Sequence, residues 1–88
     1  MPGPEKPFQI HYHPAVRKKD IPALSKDARD MIRRAIEERL TKAPHEYGQP
    51  LRKTLKGYWK LRVGDYRVVF RIEGNVVIVL IIRHRKDV

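Results

Sequence analysis

The stretch from residue 58 to residue 72 constrains the fold most, because it carries the pattern of two strands joined by a tight turn. Apolar and polar residues alternate on both sides of Gly64-Asp65, and a glycine followed by a polar residue favours a two-residue hairpin turn. Side chains on a strand alternate between its two faces. Each predicted strand therefore has an apolar face for a core and a second face that carries Lys60, Arg62, Arg67 and Arg71.

This second face brings like charges together. Lys60 and Arg62 on the first strand would lie beside Arg67 and Arg71 on the second, and like charges placed across a sheet destabilise it. A structural role alone does not explain that arrangement. We expect an anionic ligand to supply the missing negative charge.

The first half of the chain predicts a strand followed by two helices. Residues 1–7 contain three prolines and a glycine, which predicts a flexible lead-in. Residues 8–13 alternate as a strand does, and Pro14 is placed to begin a short helix. Apolar residues recur at helical spacing over residues 26–40, with Ser25 as the predicted N-cap.

The second half predicts a loop over residues 45–55 and then a three-stranded antiparallel meander. The last strand, residues 76–82, is apolar on both sides, a pattern typical of a central strand that is covered on both faces. The order of elements predicts the α+β class in one domain over residues 1–88. It has a small antiparallel sheet, made of the N-terminal strand and the meander, with two helices packed on one face.

Charge indicates the class of partner. Lys and Arg number 20 against 10 for Asp and Glu, a formal net charge of +10 in 88 residues. Such an excess favours polyanionic partners. The N-terminus has no apolar segment of the kind a secretory signal needs, and residues 76–82 are too short to span a bilayer as a helix, so we expect a cytoplasmic protein.

The residue pattern predicts neither a cofactor nor a metal site. The chain has no cysteine, which excludes disulfides and thiolate ligands. His11 and His13 share one face of the first strand, but no third ligand is apparent, so we interpret them as exposed histidines.

The basic surface suits RNA. Arginine grips phosphate through two parallel hydrogen bonds, and tyrosine stacks on unpaired bases. RNA also carries its own nucleophile, the 2′-hydroxyl, so cleavage requires only positioning, proton transfer and charge stabilisation. The residue types leave open whether this surface cleaves RNA or only binds it. The candidate residues are Tyr58, Lys60, Arg62, Arg67, Arg71, Arg83, His84, Arg85 and Lys86.

Three segments resemble the RelE/ParE superfamily of toxins from type II toxin–antitoxin systems, and its RelE-like branch in particular. They are Gly-Tyr-Trp-Lys-Leu-Arg at residues 57–62, Gly-Asp-Tyr-Arg-Val-Val-Phe at residues 64–70, and Arg-His-Arg-Lys-Asp-Val at residues 83–88. The fold that this resemblance implies agrees with the one predicted above. RelE-type members cleave mRNA in the ribosomal A site by 2′-hydroxyl attack, which leaves a 2′,3′-cyclic phosphate. ParE-type members inhibit DNA gyrase.

The resemblance also implies catalytic roles for three basic residues. Lys60 matches a basic residue that serves as a base or charge stabiliser, and Arg67 matches the arginine that contacts the phosphate. Arg85 matches a C-terminal arginine that acts as an acid toward the leaving oxygen, with Arg83 as the alternative. Tyr58 stands where RelE has a second lysine. Family members usually carry a tyrosine directly after an acidic residue and a valine, and this tyrosine stacks on the substrate base. We expect RNA cleavage to be weaker in a member that lacks it.

The same resemblance implies partners. A RelB-like antitoxin would wrap the toxin, and the ribosome with its mRNA would be the target. Neither a membrane nor a small-molecule cofactor is expected. The alternatives are a ParE-like gyrase inhibitor and a catalytically weak RNA-binding homologue.

Overall fold

The computed structural model describes residues 7–51 and 57–87, without the side chain of Asp87. Residues 1–6 of the predicted lead-in and residues 52–56 of the predicted loop lie outside the described set. Five described strands form one sheet in the order β1-β5-β4-β3-β2. Their bounds are β1 Gln9–Tyr12, β2 Gln49–Pro50, β3 Tyr58–Val63, β4 Tyr66–Glu73 and β5 Val76–His84.

Helical segments join β1 to the rest of the sheet. A π-helical turn spans Val16–Asp20, helix α1 spans Lys26–Ala35 and continues as a π-helical turn over Ile36–Leu40, and α2 is a single turn over Pro44–Tyr47. A 3-10 turn, Arg85–Asp87, follows β5. No helix in the described part of the chain is long and apolar enough to cross a bilayer.

The predicted hairpin is confirmed. β3 and β4 pair antiparallel, with Val63 opposite Tyr66 and Arg62 opposite Arg67. Gly64 has φ +59°, the conformation that a two-residue turn with a leading glycine requires. The side chains of β3 and β4 therefore alternate between the two faces of the sheet as the sequence predicts.

The α+β class is confirmed, and the sheet, which the sequence predicts to be antiparallel, is mixed. β1 pairs parallel to β5, with Ile10 opposite Val77, whereas the other pairs are antiparallel. The helical segments form a crossover from β1 to β3, so β3 points in the same direction as β1. Two hairpins later β5 points that way again, which makes its pairing with β1 parallel.

The core lies between the helical layer and one face of the sheet. Ser25 caps α1, because its side chain accepts a hydrogen bond from the Ala28 N–H at 3.1 Å, as predicted. Helical residues meet strand residues in one apolar cluster. It comprises Val16, Ile32, Ala35, Ile36, Leu40, Leu61, Val63, Val68, Phe70, Val77, Val79 and Ile82.

Two predictions about the second half are wrong. The segment interpreted as a loop contains α2 and β2, since Pro44 begins one helical turn and Gly48 ends it. β5 is paired on both edges, but the described residues cover it on one face only, and Ile81 on the opposite face is 38% exposed. The apolar run reflects the position of β5 inside the sheet rather than a second helical layer.

Candidate nucleic-acid interface

The basic residues of the hairpin lie on the face of the sheet opposite the helices, which we call the open face. Arg62 pairs directly with Arg67, and Tyr58 pairs directly with Arg71. Lys60 lies between Tyr58 and Arg62 on β3, so strand alternation turns it to the same side. Directly paired residues have Cβ atoms about 5 Å apart, and the diagonal pair Lys60 and Arg67 about 7–8 Å.

Three arginines converge on a pocket at the turn end of the hairpin. This pocket, which we call the arginine pocket, has a volume of about 130 Å³. Strands β3 and β4 supply Arg62 and Arg67, and the 3-10 turn supplies Arg85. The full lining is Arg62, Gly64, Asp65, Tyr66, Arg67 and Arg85.

The backbone of the hairpin turn holds Arg85 at this pocket. Its N–H donates to the carbonyl of Asp65 at 2.7 Å, and its Nε lies 3.8 Å from Asp65 Oδ1. The end of the chain is thus tied to the Gly64-Asp65 turn. Residues far apart in sequence meet in one concave, positively charged site.

Lys60 adjoins the arginine pocket without lining it. Both Lys60 and Arg67 are partly buried, whereas Arg62 is exposed. Among the described residues, the ion pairs within 4.0 Å involve Arg33, Arg71, Arg83 and Arg85 rather than Lys60, Arg62 or Arg67. The end of the open face near the turn therefore concentrates positive charge.

Arg71 has a different environment at the other end of the open face. Its guanidinium forms an ion pair with Glu73 and lies 5.7 Å from the centre of the Tyr58 ring. Arg71 lies four positions from Arg67 along the strand, about 13 Å. The prediction that Arg71 needs a ligand to supply its counter-charge is therefore wrong, since Glu73 supplies one. Tyr58, which is predicted to stack on a base, already contacts this arginine.

The side chain of Arg83 is drawn to the edge of the sheet. It stands opposite Arg67 in the register, but its guanidinium donates to Asp20 at 2.8 Å. The second oxygen of Asp20 accepts the Ile82 N–H at 2.9 Å. Because β1 ends at Tyr12, Asp20 takes the place that a longer strand would occupy beside β5. Sequence reasoning missed Asp20, whose partners lie more than 60 positions away.

The predicted grouping of His84 with the basic residues is wrong. Its register partner is Tyr66, and the two rings lie on the helical side of the sheet with centroids 5.1 Å apart. Alternation explains this result, since Arg83 immediately before it stands opposite Arg67, which belongs to the open face. Lys86 is exposed on the 3-10 turn, where its N–H donates to His84 Nδ1 at 3.1 Å.

The two histidines of the N-terminal strand have separate environments. His11 stands opposite Ile78 in the parallel register, whereas His13 follows the strand and its Nδ1 accepts the Ala15 N–H at 3.0 Å. Over residues 7–51 and 57–87, no group of three or more His, Cys, Asp and Glu side chains could hold a metal ion.

Comparison with known proteins connects this geometry with a family. Residues 10–88 match the family described as the ParE toxin of the type II toxin–antitoxin system parDE. Toxin RelG of Mycobacterium tuberculosis is 39% identical over 51 residues, which cover 56% of this chain and 59% of RelG. The matched segment thus spans about three-fifths of that relative.

Solved structures share the fold over nearly the whole chain. The toxin–antitoxin complex RelBE2 from Mycobacterium tuberculosis contains a chain that superposes with a TM-score of 0.85 at 26% identity, covering 96% of this chain and 98% of that one. The isolated E. coli RelE toxin superposes with a TM-score of 0.71 at 18% identity, covering 88% and 83%. The similarity to E. coli RelE, at 18% identity, shows a shared fold alone.

Proposed function

The chain belongs to the ParE toxin family of type II toxin–antitoxin systems, within the RelE/ParE superfamily, and from that premise we propose that it cleaves mRNA on the ribosome. The observation that carries the proposal is the arginine pocket beside Lys60. A pocket of about 130 Å³ with three arginines in its lining is suited to one phosphodiester group.

RNA binding would use the arginine pocket first. Arg67 and Arg62, directly paired across the hairpin, grip the non-bridging oxygens of the scissile phosphate. The ribose on its 5′ side then lies toward Lys60, on the same strand as Arg62. Tyr58 and Arg71, farther along the open face, contact the neighbouring nucleotide.

Cleavage in this site would be an intramolecular transesterification. The 2′-oxygen attacks the adjacent phosphorus, a 2′,3′-cyclic phosphate forms, and the bond from phosphorus to the 5′-oxygen breaks. Arginine side chains stay protonated in proteins and accept no proton, so the amine of Lys60 is the group on the open face that takes the 2′-hydroxyl proton and becomes an ammonium. Arg67 stabilises the charge that develops on the phosphorane.

Arg85 would stabilise the leaving 5′-oxygen. It does so by donating hydrogen bonds, and water supplies the proton, because the guanidinium keeps its own protons. This role differs from the acid role that the family resemblance implies. The position of Arg85 at the arginine pocket favours it over Arg83, whose guanidinium is bonded to Asp20.

Gyrase inhibition is the second candidate, and the match to the ParE family model favours it. A gyrase inhibitor has no need of three arginines around a phosphate-sized pocket. We therefore rank RNA cleavage first.

An antitoxin is the proposed protein partner. The RelBE2 and E. coli RelBE structures are toxin–antitoxin complexes. The net charge of +10 favours a partner with acidic side chains that reach the open face.

Two assays on the same purified protein separate these functions. Incubation with translating ribosomes should produce mRNA cuts within codons, and the upstream fragments should end in 2′,3′-cyclic phosphate. A supercoiling assay with purified gyrase should remain unaffected. Gyrase inhibition without RNA cuts would establish the second candidate, and ribosome binding without cuts would reduce the protein to an RNA-binding homologue.

A further inference from the structure

Asp65 is an acidic residue in a site built to attract anions. Of the residues that the structure describes, it is the acid that lines the arginine pocket. Its side chain is 63% exposed, and its carboxylate lies 3.8 Å from the Nε of Arg85. A carboxylate there lowers the attraction of the pocket for phosphate, so simple RNA binding does not explain it.

The position of Arg85 supplies an explanation. Arg85 follows the last strand, and its side chain is 64% exposed, so packing alone does not fix it. Arg62 and Arg67 line the same pocket and repel it. A long arginine side chain in that setting gains conformational freedom by turning out into water.

We propose that Asp65 is a positioning residue, which holds the Arg85 guanidinium at the arginine pocket before RNA arrives. This inference rests on the proposed cleavage function. The backbone of Asp65 fixes the start of the 3-10 turn through the Arg85 N–H, and its carboxylate orients the guanidinium. Arg85 is then already placed where the 5′-oxygen departs, which lowers the entropic cost of reaching the transition state.

The variant Asp65→Asn isolates the charge. The asparagine keeps the backbone carbonyl that accepts the Arg85 N–H, and it keeps the size of the side chain. Glu46→Gln is the matched control, since it also removes one negative charge but lies on α2, away from the arginine pocket. The adjacent residue of α2, His45, packs against Trp59 at the other end of β3. Asp65→Glu restores the charge on a longer side chain and should recover part of the activity.

The first measurement separates binding from the chemical step. We expect Asp65→Asn to cleave ribosome-bound mRNA roughly ten-fold more slowly in single turnover, because Arg85 must be ordered during the reaction. Affinity for ribosomes carrying mRNA with a 2′-deoxy residue at the cut site should stay the same or rise, because one negative charge has left the site. A residue that only supports the fold would weaken both.

The second measurement needs no activity. NMR relaxation of the Arg85 Nε–H group in free protein should give a higher order parameter for the wild type than for Asp65→Asn. If the wild type cuts no RNA, the proposed function fails, and this comparison still decides the placement of Arg85. Equal order parameters would overturn the inference, as would an unchanged cleavage rate in Asp65→Asn. A pH–rate profile that loses its acidic limb in that variant would instead make Asp65 the base and also overturn it.

Discussion

Lys60 stands between two different environments on one strand. On one side lies the arginine pocket, and on the other lies the pair formed by Tyr58 and Arg71. Both the amine chemistry and the positive charge of Lys60 could serve the reaction. Substitution by arginine separates the two, because arginine keeps the charge but does not accept a proton.

We expect Lys60→Arg to cleave ribosome-bound mRNA about 100-fold more slowly than the wild type at neutral pH, since general-base catalysis is lost. Its affinity for uncleavable mRNA on the ribosome should be close to the wild-type value. A Lys60→Arg variant with nearly normal cleavage would show that the charge of this residue suffices, and would remove its role as base.

Arg83 and Arg85 offer a direct comparison of two arginines close to one another in sequence. Arg85→Ala should reduce the single-turnover cleavage rate about 100-fold, because a donor to the leaving oxygen is removed. Arg83→Ala should leave that rate nearly unchanged. It should lower the free energy of unfolding by only roughly 1 kcal/mol, since Asp20 loses its ion pair with Arg83 but still accepts the hydrogen bond from the Ile82 N–H. Chemical denaturation and cleavage assays on both variants check this. The opposite ranking of cleavage rates would assign the leaving-group role to Arg83.

Strand alternation predicted the common face of Lys60, Arg62 and Arg67, because that property depends on a local pattern. The same rule, continued from Arg83, places His84 on the helical side, so the signal for that correction was present in the sequence. The contact between Asp20 and Arg83 had no such signal. It depends on where β1 ends beside β5, which only the folded sheet determines.

At the scale of elements, the hairpin was predictable because a turn and two alternating strands are local features. The parallel direction of β1 was not, since it follows from the crossover path of the helical segments. The sequence does contain a signal for helix α2. Pro44 is its first residue and Gly48 follows its last, the order that typically begins and ends a helix.

Gly48 joins α2 to the core through close contact with Phe70. A Cβ at this position would lie 2.6 Å from the Phe70 ring and 2.9 Å from the Pro44 carbonyl. We expect Gly48→Ala to lower the free energy of unfolding by about 1–3 kcal/mol through overpacking. The cost should shrink in a Phe70→Leu background, where the ring is absent. Strictly additive effects in chemical denaturation would show that the ring is not the cause.

The edge strand β1 contributes a pH dependence through Tyr12. Burial raises the pKa of its phenol above the ordinary value of 10.0, the Glu37 carboxylate adds to the rise, and Arg33 opposes it. The folded state therefore favours the neutral phenol. The associated stability is present below pH 10.0 and is lost as the pH rises through the folded pKa.

Tyr12→Phe removes the ionisable group and should flatten this loss. Urea titrations between pH 9 and pH 11, a range of about one unit on either side of the phenol value, should show a steeper decline for the wild type than for Tyr12→Phe. Tyr47→Phe, at a tyrosine that is 53% exposed, is the control for removing a hydroxyl. Parallel curves for the wild type and Tyr12→Phe would contradict the account.

At the scale of the whole molecule, net charge matters less than its distribution. Arg33 pairs with Glu37 on α1 and its continuation, Arg83 pairs with Asp20 at the sheet edge, and Arg71 pairs with Glu73. The excess of 20 basic over 10 acidic residues predicted a polyanionic partner but not the place where it binds. That place depends on which cations are already paired, and contacts between distant residues decide this.

In the proposed reaction, the arginine pocket performs the chemistry, rather than positive charge in general. Arg67→Ala and Arg71→Ala test it directly, because both remove one charge from the open face of β4, yet only Arg67 lines the arginine pocket. In single-turnover cleavage with mRNA-bearing ribosomes at saturating concentration, we expect Arg67→Ala to lose at least about 100-fold. Arg71→Ala should stay near the wild-type rate there, because a lost contact to the neighbouring nucleotide weakens binding rather than the chemical step. Equal losses in the two variants, or full cleavage by Arg67→Ala, would contradict the claim.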